Sequence, residues 1–208
     1  FFCATEQSLP QYTGSPKKIV TGHGIDLAFW PQRENRCSEP KSLLAVHRLS
    51  RSKRLEIVIG ALKHLPGYSL DIYGIDAESD YVDQLRTLSQ APHVAGRVAF
   101  HGTIPMKQLP EIYMTHRMIM NMASETIDKT MLEAMTCGCF PVTTKRNAEA
   151  IGITAAPEHD TPEAIAAFVQ QHTERLPMDA DAMYAVVQGR QSLEGLMKTM
   201  DHYPRPGQ

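Results

Sequence analysis

The stretch Ser124-Glu125-Thr126-Ile127-Asp128-Lys129-Thr130-Met131-Leu132-Glu133-Ala134-Met135-Thr136-Cys137-Gly138-Cys139-Phe140-Pro141-Val142 decides how the rest of the chain is read. It follows an apolar run, Met118 to Ala123, with methionines at every second position, the period of a strand. A polar loop carrying Glu125 comes next. Thr130 to Cys137 then has helical spacing, Gly138 suits the helix end, and Phe140 to Thr144 reads as a second strand. The unit is therefore strand, loop, helix, strand, with one carboxylate on the loop and another, Glu133, set among Leu132 and Ala134 in an apolar helix. A carboxylate in such surroundings needs hydrogen-bond donors to offset its desolvation, and sugar or ribose hydroxyls are donors of that kind.

Outward from this unit the pattern repeats. Lys18-Ile19-Val20, Leu43 to Leu49, Ser69 to Gly74 and Arg97 to Gly102 read as buried strands, and Arg54 to Leu65, Tyr81 to Leu88 and Met106 to Met114 read as helices between them. Strands joined by helix-length crossovers run parallel, so the expected fold class is α/β, a Rossmann-like parallel sheet with helices on both faces. From Thr161-Pro162-Glu163 onward the chain reads as helices only: Ala164 to Leu176, Ala180 to Gln188 and Leu193 to His202, with Thr161 and Ser192 as N-caps. The expected division is residues 1–17 as a crossover segment, 18–160 as the Rossmann-like domain, and 161–208 as C-terminal helices packing on it.

Ligands of such sheets sit beyond the carboxyl ends of the strands. The helix start at Lys129 and Thr130 offers unpaired backbone N–H groups and the positive end of a dipole, which suit phosphate. Carboxylates repel phosphate, which leaves the diphosphate to cations. Arg48, after the strand Leu43 to His47, and Lys53, five residues later, share one strand-to-helix loop and can neutralise a leaving diphosphate. Arg51 and Arg54 are expected to face outward, and His101 to be a packed or hydrogen-bonded residue.

Composition bounds the alternatives. The chain has 208 residues, 42% hydrophobic, with a formal net charge of -2, so it carries no polycation for nucleic acid. No run approaches the roughly 20 apolar residues a membrane-spanning helix needs. Cys3, Cys37, Cys137 and Cys139 fit neither zinc-knuckle nor C-x-x-C spacing and read as reduced thiols, which points to the cytoplasm, any membrane contact being peripheral at the inner face. The opening Phe1-Phe2-Cys3-Ala4 reads as the interior of a longer protein.

Gly24-Ile25-Asp26, Arg48 with Lys53, Tyr73-Gly74, Phe100-His101-Gly102, and Ser124-Glu125 with Leu132-Glu133-Ala134-Met135 and Gly138 to Val142 together resemble the retaining GT-B glycosyltransferases of the glycosyl transferases group 1 family, in their carboxy-terminal, donor-binding domain. The resemblance runs from Lys18 to Ala150 and more weakly to the end. It implies transfer of a sugar from a nucleoside diphosphate of UDP or GDP type to a saccharide or lipid-linked acceptor, in polysaccharide or glycoconjugate synthesis. It further implies that Glu125 meets the sugar hydroxyls, Glu133 the ribose, and Arg48 and Lys53 the phosphates, with Gly74, Gly102, Ile104, Lys129 and Thr130 completing the donor site. No metal or cofactor is expected, since two cations take its place. An amino-terminal acceptor domain would complete the enzyme, and the chain alone would transfer little.

The chain departs from the family pattern at His47, where Gly is common before the Arg, at His23 for Asn, and at Thr126-Ile127-Asp128-Lys129, where small glycine-rich residues are usual. Two other readings stay open at this stage: a non-catalytic nucleotide-binding or scaffold module of the same fold, and a GT-B-type sugar-nucleotide epimerase.

Overall fold

A computed structural model describes residues 1–6, 8–34, 36–124 and 127–203. The main sheet is five-stranded and parallel. Its strands are β3 (Ser42–Val46), β4 (Ser69–Tyr73), β5 (Val98–Gly102), β6 (Met118–Asn121) and β7 (Phe140–Thr143), which follow the two short strands β1 (Phe2–Cys3) and β2 (Ile19–Val20). The order across the sheet is β5-β4-β3-β6-β7. The chain thus moves outward from β3 to β5, crosses back, and moves outward again on the other side, so the direction reverses between β3 and β6.

Right-handed crossovers then put α1 (Leu55–Ala61) and α2 (Ser79–Ser89) on one face, and α3 (Leu109–Met114) and α4 (Lys129–Thr136) on the other. The helix pairs α1·α2 and α3·α4 do pack together. Both faces being covered, the strands are largely apolar: Leu43, Leu44 and Ala45 of β3, Ile119 and Met120 of β6, and Phe140 of β7 are all buried. Pro141, which cannot donate to a ladder, is tolerated because β7 is an edge strand.

Helix α5 (Lys145–Ile151) follows β7 directly, capped by Thr144, whose hydroxyl accepts from the Asn147 amide. The sequence reading had no helix here, because Lys145 to Ile151 is short and mixed in polarity. Helices α6 (Pro162–His172), α7 (Ala180–Arg190) and α8 (Leu193–Asp201) complete the chain; α6 packs on α1, and α7 on α4. Thr161, with Pro162 at the first position, and Ser192 cap as expected.

One expectation needs correcting. The strand at Lys18-Ile19-Val20 forms, but it pairs in parallel with Phe2–Cys3 as a separate two-stranded sheet and takes no part in the main one. Apolar composition identifies a strand; it carries no information on which strand it pairs with.

The ends of β3 and β4 are locked together at Gly74. Its φ is +153°, and a Cβ there would stand 1.9 Å from the His47 carbonyl oxygen, while its N–H donates to the Gly102 carbonyl at 2.8 Å. Gly74→Ala is expected to destabilise the fold by about 2–3 kcal/mol, measured by urea unfolding. A change under about 0.5 kcal/mol, the usual size for a neutral substitution, would show that this approach is not a constraint.

Candidate functional site

At the reversal point the loops after β3 and β6 face each other. The β3 loop runs Val46, His47, Arg48, then a single 3-10 turn, Arg51–Lys53, ending on Arg54 in the left-handed region at φ +53°. That turn directs Lys53 inward, 4% exposed, while Arg51 stays outside on Asp80 and Gln84, as expected. Arg54 is less outward than expected: it is partly buried in an ion pair with Asp160 at 2.8 Å. The turn is followed by α1, whose Leu55 N–H donates to the Tyr81 hydroxyl on α2 at 2.8 Å, a cap supplied from a neighbouring helix.

The β6 loop is held at both its described ends. Asn121 Oδ1 accepts from the Ala123 N–H at 3.2 Å, and Asn147 Nδ2 donates to the Ala123 carbonyl at 2.6 Å. At the other end Asp128 accepts from Lys53 Nζ at 2.6 Å and from Asn121 Nδ2 at 2.5 Å. Because Asn121 Oδ1 is engaged by Ala123, its amide nitrogen is the group left to meet Asp128. Glu125 lies outside the described residues.

Asp128 occupies the N-cap position of α4, yet its side chain makes no capping bond. An N-cap aspartate ordinarily accepts from the second or third amide of its helix. Here the carboxylate is committed to Lys53 and Asn121 instead, so it gives the first amides of α4 no hydrogen bond. Around it lies a cavity of 390 Å³ lined by His47, Arg48, Lys53, Asp128, Lys129 and Thr130, so three cations face one carboxylate. Two residues of this lining each carry a buried polar atom without a hydrogen-bond partner, His47 Nε2 and Thr130 Oγ1. A second cavity of 180 Å³ shares His47 and Arg48 and continues along Val46, Tyr73, Gly74, Thr103, Ile104 and Leu109.

The structure therefore gathers Arg48, Lys53, Lys129 and Thr130 around one cavity, and Gly74 and Ile104 around its neighbour. Gly102 is in neither; it supports Gly74 from behind through its carbonyl. Glu133, one turn further along α4, is 9% exposed and accepts from the Tyr113 hydroxyl at 3.4 Å. His101 is hydrogen-bonded as expected, to Asp71 at 2.5 Å, and stacks on Tyr73 with ring centroids 4.4 Å apart. His116 and Ser42 also reach Asp71, and these contacts, led by the His116 bond, hold its carboxyl down at about 2.

Asp128, Asn121, Asn147 and Gln191 are the residues that sequence reasoning missed. Gln191 anchors the Gly24-Ile25-Asp26 segment: its side chain meets the His23 N–H at 3.1 Å and ring at 2.8 Å, and its carbonyl accepts from Ile25 at 2.7 Å. The strand and cap patterns were available, but partners distant in sequence carry no local signal. Among the described residues no group of three His, Cys, Asp or Glu is placed to hold a metal ion, and no helix is long and apolar enough to cross a membrane. Cys3, Cys137 and Cys139 are buried, and Cys37 is partly exposed.

Residues 28–154 match the model of the glycosyl transferases group 1 family, and the chain belongs to that family. Solved structures of the same fold include Anabaena HepE in complex with UDP and glucose (TM-score 0.79, 18% identity, 97% of this chain and 61% of that one). Sucrose-phosphate synthase from Thermosynechococcus elongatus (0.78, 17%, 97% and 56%) and a glycosyltransferase from Rickettsia africae (0.78, 13%, 97% and 62%) share it too. The chain thus spans about three-fifths of the length of these structures. Comparison with curated proteins returns no match. The α/β fold, a parallel sheet between helices with helices following it, is that of the GT-B glycosyltransferase domains.

Burial pushes the Glu133 carboxyl up to about 7 from an ordinary value of 4.5, against the opposing pull of the Tyr113 hydroxyl and Lys129. Below pH 4.5 both folded and unfolded chains hold this proton; between 4.5 and 7 only the folded chain does, so stability falls as pH rises through that window. His47 acts in the opposite sense: burial depresses its pKa below 6.5, so its contribution is lost as pH falls through that value. Glu133→Gln should match the parent protein near pH 4 and exceed its stability at pH 8 by up to roughly 3 kcal/mol, measured by urea unfolding at both. An unchanged difference between the two proteins at pH 4 and 8 would contradict the raised carboxyl.

Proposed function

We propose that the paired cavities hold the donor of a retaining sugar transfer, a nucleoside diphosphate sugar. The diphosphate lies on the N-terminal amides of α4, neutralised by Arg48, Lys53 and Lys129, with the Thr130 hydroxyl donating to a phosphate oxygen. The nucleoside enters the smaller cavity beside Tyr73, Gly74 and Ile104. Glu133 accepts from one ribose hydroxyl and Glu125 from those of the sugar. The observation that carries this reading is the N-cap aspartate that does not cap: the first amides of α4 receive no hydrogen bond from the Asp128 side chain and adjoin a cavity lined by three cations. The complex of HepE with UDP and glucose, on the same fold, supports it.

The electrostatic task in cleaving a sugar–phosphate bond is to stabilise the leaving diphosphate. Arg48 and Lys53 do this with fixed positive charge, and no metal is invoked. The chain is read as the carboxy-terminal half of its enzyme, working in the cytoplasm against an amino-terminal acceptor domain that presents a saccharide or lipid-linked hydroxyl. One observation favours a second reading, a non-catalytic module: Asp128 already occupies Lys53.

Calorimetric titration with UDP, GDP and ADP without metal separates the two. Selective binding of one nucleotide is expected, weakened at least tenfold in Lys53→Ala, the effect of losing about 1.4 kcal/mol of charge-assisted contact. Hydroxyls donating to Glu133 favour its ionised form, so binding at pH 7 should release a proton in the parent protein and none in Glu133→Gln, read from buffers of different ionisation enthalpy. Failure of all three nucleotides to bind a chain with intact circular dichroism would support the module instead.

A further inference from the structure

His47 stands at the joint between the two cavities and lines both. Its backbone is fixed on either side: the N–H donates to the Tyr73 carbonyl at 3.1 Å, and its own carbonyl sits where Gly74 leaves no room for a side chain. The imidazole is 8% exposed. Its Nδ1 lies 3.1 Å from the Arg48 carbonyl oxygen, an atom that only accepts, so Nδ1 carries the hydrogen. Burial, with Lys53 adding to it against the opposing Arg48 carbonyl and Asp128, keeps the ring neutral. A neutral ring with its hydrogen on Nδ1 has a lone pair on Nε2, and that atom has no partner. A buried acceptor left unpaired is a cost the free protein carries and a donating ligand removes.

Resting on the nucleotide reading above, we infer that His47 is a specificity-determining residue whose Nε2 accepts a hydrogen bond from a ribose hydroxyl of the bound nucleotide. Position selects the hydroxyl. A ligand with its phosphates among Arg48, Lys53 and Thr130 and its base beside Ile104 and Tyr73 places its ribose between them, at His47. A phosphate oxygen has no hydrogen to offer a neutral Nε2, so the contact reads the sugar of the nucleotide and is indifferent to the charge beyond it. Where the family commonly has glycine, this chain has a side chain able to distinguish ribose from deoxyribose.

The test compares UDP and GDP with their 2′-deoxy and 3′-deoxy forms, and with inorganic pyrophosphate, on the parent chain, His47→Ala and His47→Gln, each checked for folding by thermal unfolding. The parent should prefer the ribonucleotide over one of the deoxy forms by roughly tenfold, as loss of one buried hydrogen bond predicts. That ratio should fall to within twofold in His47→Ala and recover in His47→Gln, whose amide oxygen also accepts. Pyrophosphate affinity should be the same in all three. A ratio unchanged in His47→Ala would overturn the inference and leave the nucleotide site standing. A loss of pyrophosphate affinity in His47→Ala would overturn it in favour of a protonated His47 bound to phosphate. No nucleotide binding by the folded parent chain would overturn both readings together.

Discussion

The Lys53–Asp128–Asn121 cluster is the interaction on which the site depends. It joins the loop after β3 to the loop after β6 at the one place where the sheet reverses direction, and it does so with a charge pair whose Lys53 is buried and whose Asp128 is partly so. Removing an ammonium from water is costly, and the carboxylate at 2.6 Å, itself supported by Asn121, offsets that cost. The same contact has a second consequence. By engaging the Asp128 carboxylate, it leaves the first amides of α4 without a hydrogen bond from that side chain, so one ion pair both ties the two loops together and shapes the polar rim of the cavity.

Much of this was legible in sequence, for identifiable reasons. Strands buried on both faces announce themselves through runs such as Leu43 to Val46 and Met118 to Asn121, and the strand-helix alternation implies parallel pairing with few alternatives. Thr161-Pro162 and Ser192 cap helices through local bonds, so their signal is local. Arg48, Lys53, Lys129 and Thr130 converge because all lie just beyond strand ends or at a helix start, which the topology brings to one edge of the sheet. What stayed hidden was long-range. Nothing around Asp128 shows that its partner is Lys53, nothing around Gln191 shows that it braces His23, and the pairing of β2 with β1 is decided by tertiary context.

The departures from the family pattern acquire physical content in the same way. His47 adds a neutral, partly unsatisfied ring at the junction of two cavities. Asp128, in a loop where the family usually has small residues, becomes the counter-charge of Lys53. Both substitutions alter the polar surface presented to a ligand while leaving the fold intact, since each side chain finds a backbone or ionic partner within the loop framework: Arg48 for His47, Lys53 and Asn121 for Asp128.

The central claim is that the N-terminus of α4, opened by the engagement of Asp128 elsewhere, receives the phosphates of a nucleotide. Amide chemical-shift mapping of the 15N-labelled chain during titration with UDP and GDP tests it most directly. The account predicts that the largest shifts fall on the Lys129 and Thr130 amides, with smaller ones at Arg48, Gly74 and Ile104. Shifts centred instead on the separate cavity lined by Gly22, Glu149 and Arg190, with Lys129 and Thr130 unmoved, would contradict it.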